Sequence, residues 1–349
     1  MTAVPEIAGF RFQQQLAHAA RCELWRAEQC TLERDVLVMV FEEEIYQNRE
    51  LGDALFGVIR ALAQEKLSLL PDVIDIIRGA ERAYVILEDN HAQGILSLLH
   101  GQPLDAERLL DLAIALAEGF SELHRAHLVY GGLRPRRLFL SETFAPYLLD
   151  ISTVSFEPGF GQNPPLDALV GAAPYVAPEQ YLQPEAVDTR ADMFALGMTL
   201  YALGTGQVPF GHYAPEVVLE RKLHEEIPSP CDVRAEFPRA FAAVLGKLSR
   251  RLPEARYADW DEVLFDLHEA RRGNVPFGAG EEGSVIAVPR ERSQANGERL
   301  IRLSASRLQA YRQMQFRQLG HAWWVWWALL LAVAVVLAGI FWLVLGVMA

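Results

Sequence analysis

Cysteine and lysine are both scarce in this chain of 349 residues. The three cysteines, Cys22, Cys30 and Cys231, show no C-x-x-C spacing and leave an odd one over, which argues against a disulfide framework and against a zinc site. Only Lys66, Lys222 and Lys247 stand beside 29 arginines, so any chemistry that needs a lysine before residue 200 has Lys66 alone to draw on. Net charge is also unevenly spread. The formal net charge is -13, and the stretch from Arg290 to Arg317 holds seven arginines against Glu291 and Glu298, leaving about -18 for the rest. A main domain so acidic is not expected to bind nucleic acid. No apolar run opens the chain, so no secretory signal is expected.

What is present at the other end is a long apolar run. AWWVWWALLLAVAVVLAGIFWLVLGVMA, residues 322–349, carries no charge. At about 1.5 Å per residue a helix of that length reaches roughly 42 Å, more than the hydrocarbon core of a bilayer. Trp323, Trp324, Trp326 and Trp327 suit the headgroup boundary, and Arg312, Arg317 and His321 precede them. Positive charge beside a span marks its cytoplasmic side, so the expectation is a tail-anchored protein of the inner membrane with its N-terminal domain in the cytosol. Residues 273–298, rich in Gly, Pro, Ser and charge, read as a linker. Residues 299–321 place Leu300, Leu303, Tyr311 and Met314 among arginines, as in a helix lying on an anionic lipid surface.

The first ninety residues hold runs suited to strands, VLVMVF at Val36 to Phe41 and AYVILE at Ala83 to Glu88, separated by a helical stretch from Ala54 to Leu70. From Leu104 onward apolar residues recur at three and four. Helices are expected in ERLLDLAIALAEGFSELHRAH and at Ala191 to Leu203, Pro238 to Leu248 and Trp260 to Arg271. Strands first and helices afterwards predict an α+β domain in two parts, residues 8–89 and 90–272.

Four motifs follow in order. LHRAHLVYGGLRPRRLFL contains Tyr130 to Leu140, YLLDIS contains Asp150, GAAPYVAPEQ spans Gly171 to Gln180, and TRADMFALGMTLYALGTGQVPF spans Thr189 to Phe210, with LPEARY later at Leu252 to Tyr257. They resemble the catalytic loop, the metal-binding turn, the end of the activation segment and the following helix of bacterial serine/threonine protein kinases. The resemblance implies a bilobal fold with a β-rich N-lobe and a helical C-lobe. It also implies structural roles for Glu179, Asp192 and Gly197, and for Arg256 as the partner of Glu179.

The same resemblance exposes replacements at positions that touch nucleotide or substrate. Ala17, Ala19 and Cys22 stand where the phosphate loop has glycine, and Met39 stands where the strand Val-Ala-Ile-Lys ends in lysine. Lys66 cannot substitute for it, and Glu65 is the nearest candidate for that lysine's glutamate partner. His-Arg-Asp becomes Tyr130, Gly131 and Gly132. Arg134 replaces the loop lysine, Arg137 the metal-binding asparagine, and Ala172 the usual threonine. Asp150 remains, followed by Ile151 and Ser152. An arginine cannot bind a cation.

These replacements lead to the expectation of a pseudokinase that is not an enzyme and takes neither ATP nor magnesium. It would act as a membrane-held scaffold or allosteric regulator of a partner protein. One alternative is an atypical serine/threonine kinase using Asp150 or Glu88. Another is a sensor of a nucleotide or small anion through Arg134, Arg136 and Arg137. Arg137 is further expected to take the cation's place beside Asp150.

Overall fold

The computed structural model describes residues 5–18, 21–79, 82–156 and 172–276. Residues 277–349, including most of the expected linker and the whole of the expected juxtamembrane helix and membrane span, lie outside the described residues, as does Ala19. Among the described residues no helix is long and apolar enough to cross a membrane.

The N-terminal part is an antiparallel sheet of β1 (Phe10–His18), β2 (Cys22–Gln29), β3 (Arg34–Phe41), β4 (Val73–Arg78) and β5 (Ala83–Glu88), in the order β1-β2-β3-β5-β4. The unbroken apolar run of β3 has a physical cause. Leu37, Met39 and Phe41 face the main core, while Val36 and Val38 face a second cluster with Ile7, Ala27 and Ile86, so both sides of the pleat are covered. The short helix α1 (Glu43–Gln47) leads into α2 (Arg49–Leu62), which lays Leu51, Leu55, Phe56, Ile59 and Leu62 on the sheet.

The helix expected from Ala54 to Leu70 begins and ends earlier than its pattern suggests. The Asn48 side chain accepts from the Leu51 N–H at 3.1 Å and fixes the start. Beyond Leu62 the apolar residues are still buried, but by a loop bonded to the helical part. Leu69 O accepts from Leu148 N at 2.7 Å, and Glu122 Oε2 accepts from Ser68 N at 2.8 Å. Lys66 therefore lies in an exposed turn rather than at a helix end.

The C-terminal part is built from α3 (Ile95–Leu99), α4 (Ala106–Arg125), α5 (Pro178–Leu182), α6 (Arg190–Thr205), α7 (Pro215–His224), α8 (Pro230–Val233), α9 (Arg239–Leu248) and α10 (Trp260–Arg271). α6 is apolar on nearly every side because it runs through the core. A Cβ on Gly197 would stand 3.0 Å from Leu248 Cβ, so the glycine lets α6 and α9 approach. Short strands frame the site: β7 (Leu128–Val129) pairs with β10 (Ser155–Phe156), and β8 (Leu138–Leu140) lies between β6 (Gln93–Gly94) and β9 (Pro146–Leu148). A bilobal arrangement results, a sheet above and a helical body below. Arg26 of β2 clamps the connection between them through its Nε–Asp89 Oδ2 contact at 2.5 Å and Nη2–Ala92 O at 3.3 Å.

Candidate active site

The loop from Tyr130 to Arg137 hangs from the core helix. Asp192 on α6 accepts from the backbone N–H groups of Tyr130 and Gly131 at 2.8 and 2.7 Å. From the opposite side, Gln180 Nε2 donates to Gly131 O at 3.0 Å. Gly131 has a φ of 67°, a conformation that glycine adopts without strain. The Tyr130 ring packs edge-on against Phe120, fully buried, and burial pushes its hydroxyl pKa up.

Within this frame Arg137 turns back toward Asp150. The Nη2–Oδ2 distance is 3.1 Å, the two side chains are 12% and 5% exposed, and Nη1 also reaches Gly132 O at 3.4 Å. Asp150 Oδ2 has no aligned hydrogen bond, so the pair is a contact between charges. The other oxygen, Oδ1, accepts from Ser152 N at 3.1 Å and Ser152 Oγ at 2.5 Å. Burial alone would lower the Arg137 pKa; Asp150, Tyr130 and Cys22 outweigh it and the net shift is upward. Arg137 is a charged guanidinium seated on the carboxylate.

The same geometry explains Gly132. A Cβ there would meet Arg137 Nη1 at 2.3 Å, Thr153 Oγ1 at 2.8 Å and Thr153 Cβ at 3.1 Å. The guanidinium fills the space that any side chain at 132 would need. From the sheet, Cys22 closes the arrangement. Its Sγ lies 3.9 Å from Asp150 Oδ1, and its thiol pKa is raised first by burial and then by the Asp150 charge. Ala17 packs partly buried against the same core.

Met39 is fully buried in the cluster that holds Leu55, Phe56 and Ile59 of α2. The facing surfaces of β3 and α2 are thus joined by apolar packing, a substitution for an ion pair that costs little stability. Glu65 is exposed, past the end of α2, and Glu88 is exposed at the end of β5. Arg134 is half-buried beside Arg137, and burial pulls its pKa down to about 10. Arg136 is exposed.

Below the loop, Arg256 and Glu179 form a two-pronged pair, Nη1–Oε1 2.6 Å and Nη2–Oε2 2.9 Å. Arg256 also donates to the carbonyl oxygens of Arg190, Arg250 and Arg251. Lys222 stands next to this pair. It is buried, donates to Ala173 O and Val176 O, and lies over the rings of Tyr181 and Phe194. Sequence reasoning noted Lys222 only as one of three lysines, and that rarity was its available signal. Neither the Cys22 contact nor the fit of Gly132 around Arg137 had a sequence signal, because both depend on which way side chains turn.

With this geometry in view, comparison with known proteins is specific. Residues 44–264 match the protein kinase domain model. A probable serine/threonine-protein kinase of Streptomyces coelicolor is 27% identical over 283 residues, covering 78% of this chain and 41% of that protein. The serine/threonine-protein kinase PknB of Mycolicibacterium smegmatis is 23% identical over 289 residues, covering 78% of this chain and 45% of the relative. The chain thus spans less than half the length of these curated relatives. The crystal structure of the Mycobacterium tuberculosis PknI kinase domain superposes with a TM-score of 0.59 at 16% identity, covering 76% of this chain and 98% of that one, a likeness of fold.

These findings overturn one expectation. From its replaced groups the chain was expected not to be an enzyme. The match across 44–264 and the relatives named as serine/threonine-protein kinases point to an enzyme instead. Replacements at single positions describe how a site is built and do not measure its turnover. Ala17, Cys22 and Met39 also precede the matched residues, in the stretch where likeness to the family model ends.

Proposed function

Since this chain belongs to the protein kinase domain family, we propose that it is a membrane-held signalling protein of the serine/threonine-kinase type that docks and regulates a partner protein. The observation that carries this reading is the Arg137–Asp150 contact at 3.1 Å, a guanidinium seated on the one carboxylate retained from the metal turn. With that carboxylate occupied, the closed cleft presents a fixed surface, and the regulatory output is its open or closed state. The apolar run at 322–349 supports a tether, with the basic stretch before it contacting anionic lipid.

The relatives' printed names support serine/threonine phosphotransfer alongside docking in the same cleft. For Asp150 to hold a metal-bound nucleotide, the Arg137 guanidinium that now stands 3.1 Å from it would have to give way. Thermal-shift titration of the full chain with ATP, with and without magnesium, tests whether Arg137 holds the cleft closed at rest, since a ligand of the native state must raise its melting temperature. A flat response in the natural chain supports a closed resting cleft that a docked partner must open. A magnesium-dependent rise without any partner overturns that closed state.

A further inference from the structure

Arg134, Arg136 and Arg137 lie in one short stretch of chain, and Asp150, the carboxylate among them, offsets one of their three charges and leaves two in excess. Asp150 is engaged by Arg137. Among the described residues no carboxylate pairs with Arg134 or Arg136, although thirteen more acidic than basic side chains make opposite charge abundant. Arg134 Nε is buried and has no hydrogen-bond partner among the described residues. A buried guanidinium donor without an acceptor is costly in a finished core and is ordinary in a site that awaits a ligand.

The surroundings define the ligand. Arg134 precedes the helical turn at Pro135–Arg137, and Arg136 points outward from the middle of that turn. Tyr175 is half-buried, packs against Val129, Ala177 and Phe194, and stands close enough to feel both guanidinium charges. The Arg134 pKa is lowered first by burial and then by Arg137, with Arg136 acting in the same direction. An arriving anion would relieve both repulsions. Two forked donors and an excess of two charges match a dianion with three acceptor oxygens, the description of a phosphate monoester.

We infer that Arg134 and Arg136, together with Tyr175, form a binding site for a phosphorylated side chain of a partner protein. The site rests on the docking reading above and names what the docked partner presents. A protein side chain is favoured over a free anion because one guanidinium lies inside the cleft and the other on the surface. The pair therefore suits a phosphate carried on a chain that also covers the rim.

Fluorescence anisotropy with the full chain and a labelled phosphoserine peptide tests the inference. The peptide is expected to bind at physiological salt at least tenfold more tightly than its serine counterpart. Arg136→Ala, at an exposed position where little packing is lost, and Arg134→Gln should each weaken binding at least fivefold. Equal affinity for the two peptides, or unchanged binding in both variants, overturns the site. Inorganic phosphate that competes at the peptide's own concentration overturns the protein partner in favour of a free anion. Displacement by magnesium-ATP at its own binding concentration overturns it in favour of nucleotide. Because these variants leave Arg137 untouched, failure here is distinguishable from failure of the closed resting cleft behind the docking reading, which the thermal shift reports.

Discussion

Gly132 and Arg137 act as one unit, since the side chain at 137 occupies the volume a Cβ at 132 would claim, 2.3 Å from Nη1. Gly132→Ala should therefore cost about 1–3 kcal/mol by overpacking. With Arg137→Ala in the background the same change should be far milder, because an added Cβ at a compatible backbone position otherwise stabilises by roughly 0.4–1 kcal/mol and only Thr153 remains to be moved. A double-mutant cycle in denaturant gives the coupling, expected to exceed about 1 kcal/mol, and strict additivity would remove the idea of a shared volume. Lys222 is a second residue with a separable signature. Burial, more than any charge, lowers its pKa to about 7, with Glu179 raising and Arg256 lowering it. The neighbouring Tyr181 and Phe194 supply rings, and Ala173 and Val176 supply carbonyl oxygens. A lysine with a folded pKa below its unfolded value binds fewer protons in the native state, so its penalty is full below about pH 7 and is relieved as pH rises toward the unfolded value of 10.5. Relative to Lys222→Met, the natural chain should gain stability from pH 7 to pH 10 with a slope approaching about 1.4 kcal/mol per unit. Parallel stability curves for the two proteins would exclude a titrating Lys222.

At the scale of elements, the loop bearing Gly132, Arg134 and Arg137 is positioned from α6 and α5, not by its own sequence. Asp192 accepts two backbone N–H groups of that loop and Gln180 donates to a carbonyl between them. Asp192→Asn replaces one acceptor oxygen by a donor, leaves a buried N–H unpaired, and should cost about 1–3 kcal/mol. Hydrogen exchange at Tyr130 and Gly131 should quicken while the helix interiors keep their protection. Unchanged protection at both amides would show that α6 does not hold the loop. Strand and helix positions were largely legible in the chain. β3 and β5 follow from apolar runs, and α4, α6, α9 and α10 from apolar residues at three and four, because each buries a face or a whole surface. The boundary of α2 was not, since the apolar residues Leu67, Leu69 and Leu70 are buried by a loop bonded to the helical body, which periodicity cannot distinguish from helix. Motif order located Asp150, Arg137, Glu179 and Arg256 in the chain. That Arg137 would stand beside Asp150 was expected from the family resemblance, in which the two positions meet at the metal, whereas the filling of the space at Gly132 by Arg137 and the approach of Cys22 follow from packing.

For the whole molecule, the consequence is that the sheet and the helical body meet at the site itself. Cys22 belongs to β2, Asp150 to the turn after β9, and their 3.9 Å contact spans the two parts while Arg137 holds the carboxylate from below. A separation of the two parts must expose the Cys22 thiol, which is 1% exposed in the closed form. The chain contains its own controls, because Cys30 is exposed and Cys231 is of intermediate exposure. Thiolate, not thiol, reacts with an alkylating reagent, and both the burial of Cys22 and the neighbouring Asp150 charge oppose ionisation. Labelling followed by peptide mass mapping should therefore modify Cys30 first and Cys22 last, slower by on the order of 10²-fold and at a rate set by opening. Arg137→Asn removes the guanidinium that seats Asp150, and should accelerate Cys22 labelling several-fold without altering Cys30. If Cys22 in the natural chain were modified as fast as Cys30, the two parts would not be closed on Asp150, and the docking surface proposed for the closed cleft would have no fixed shape.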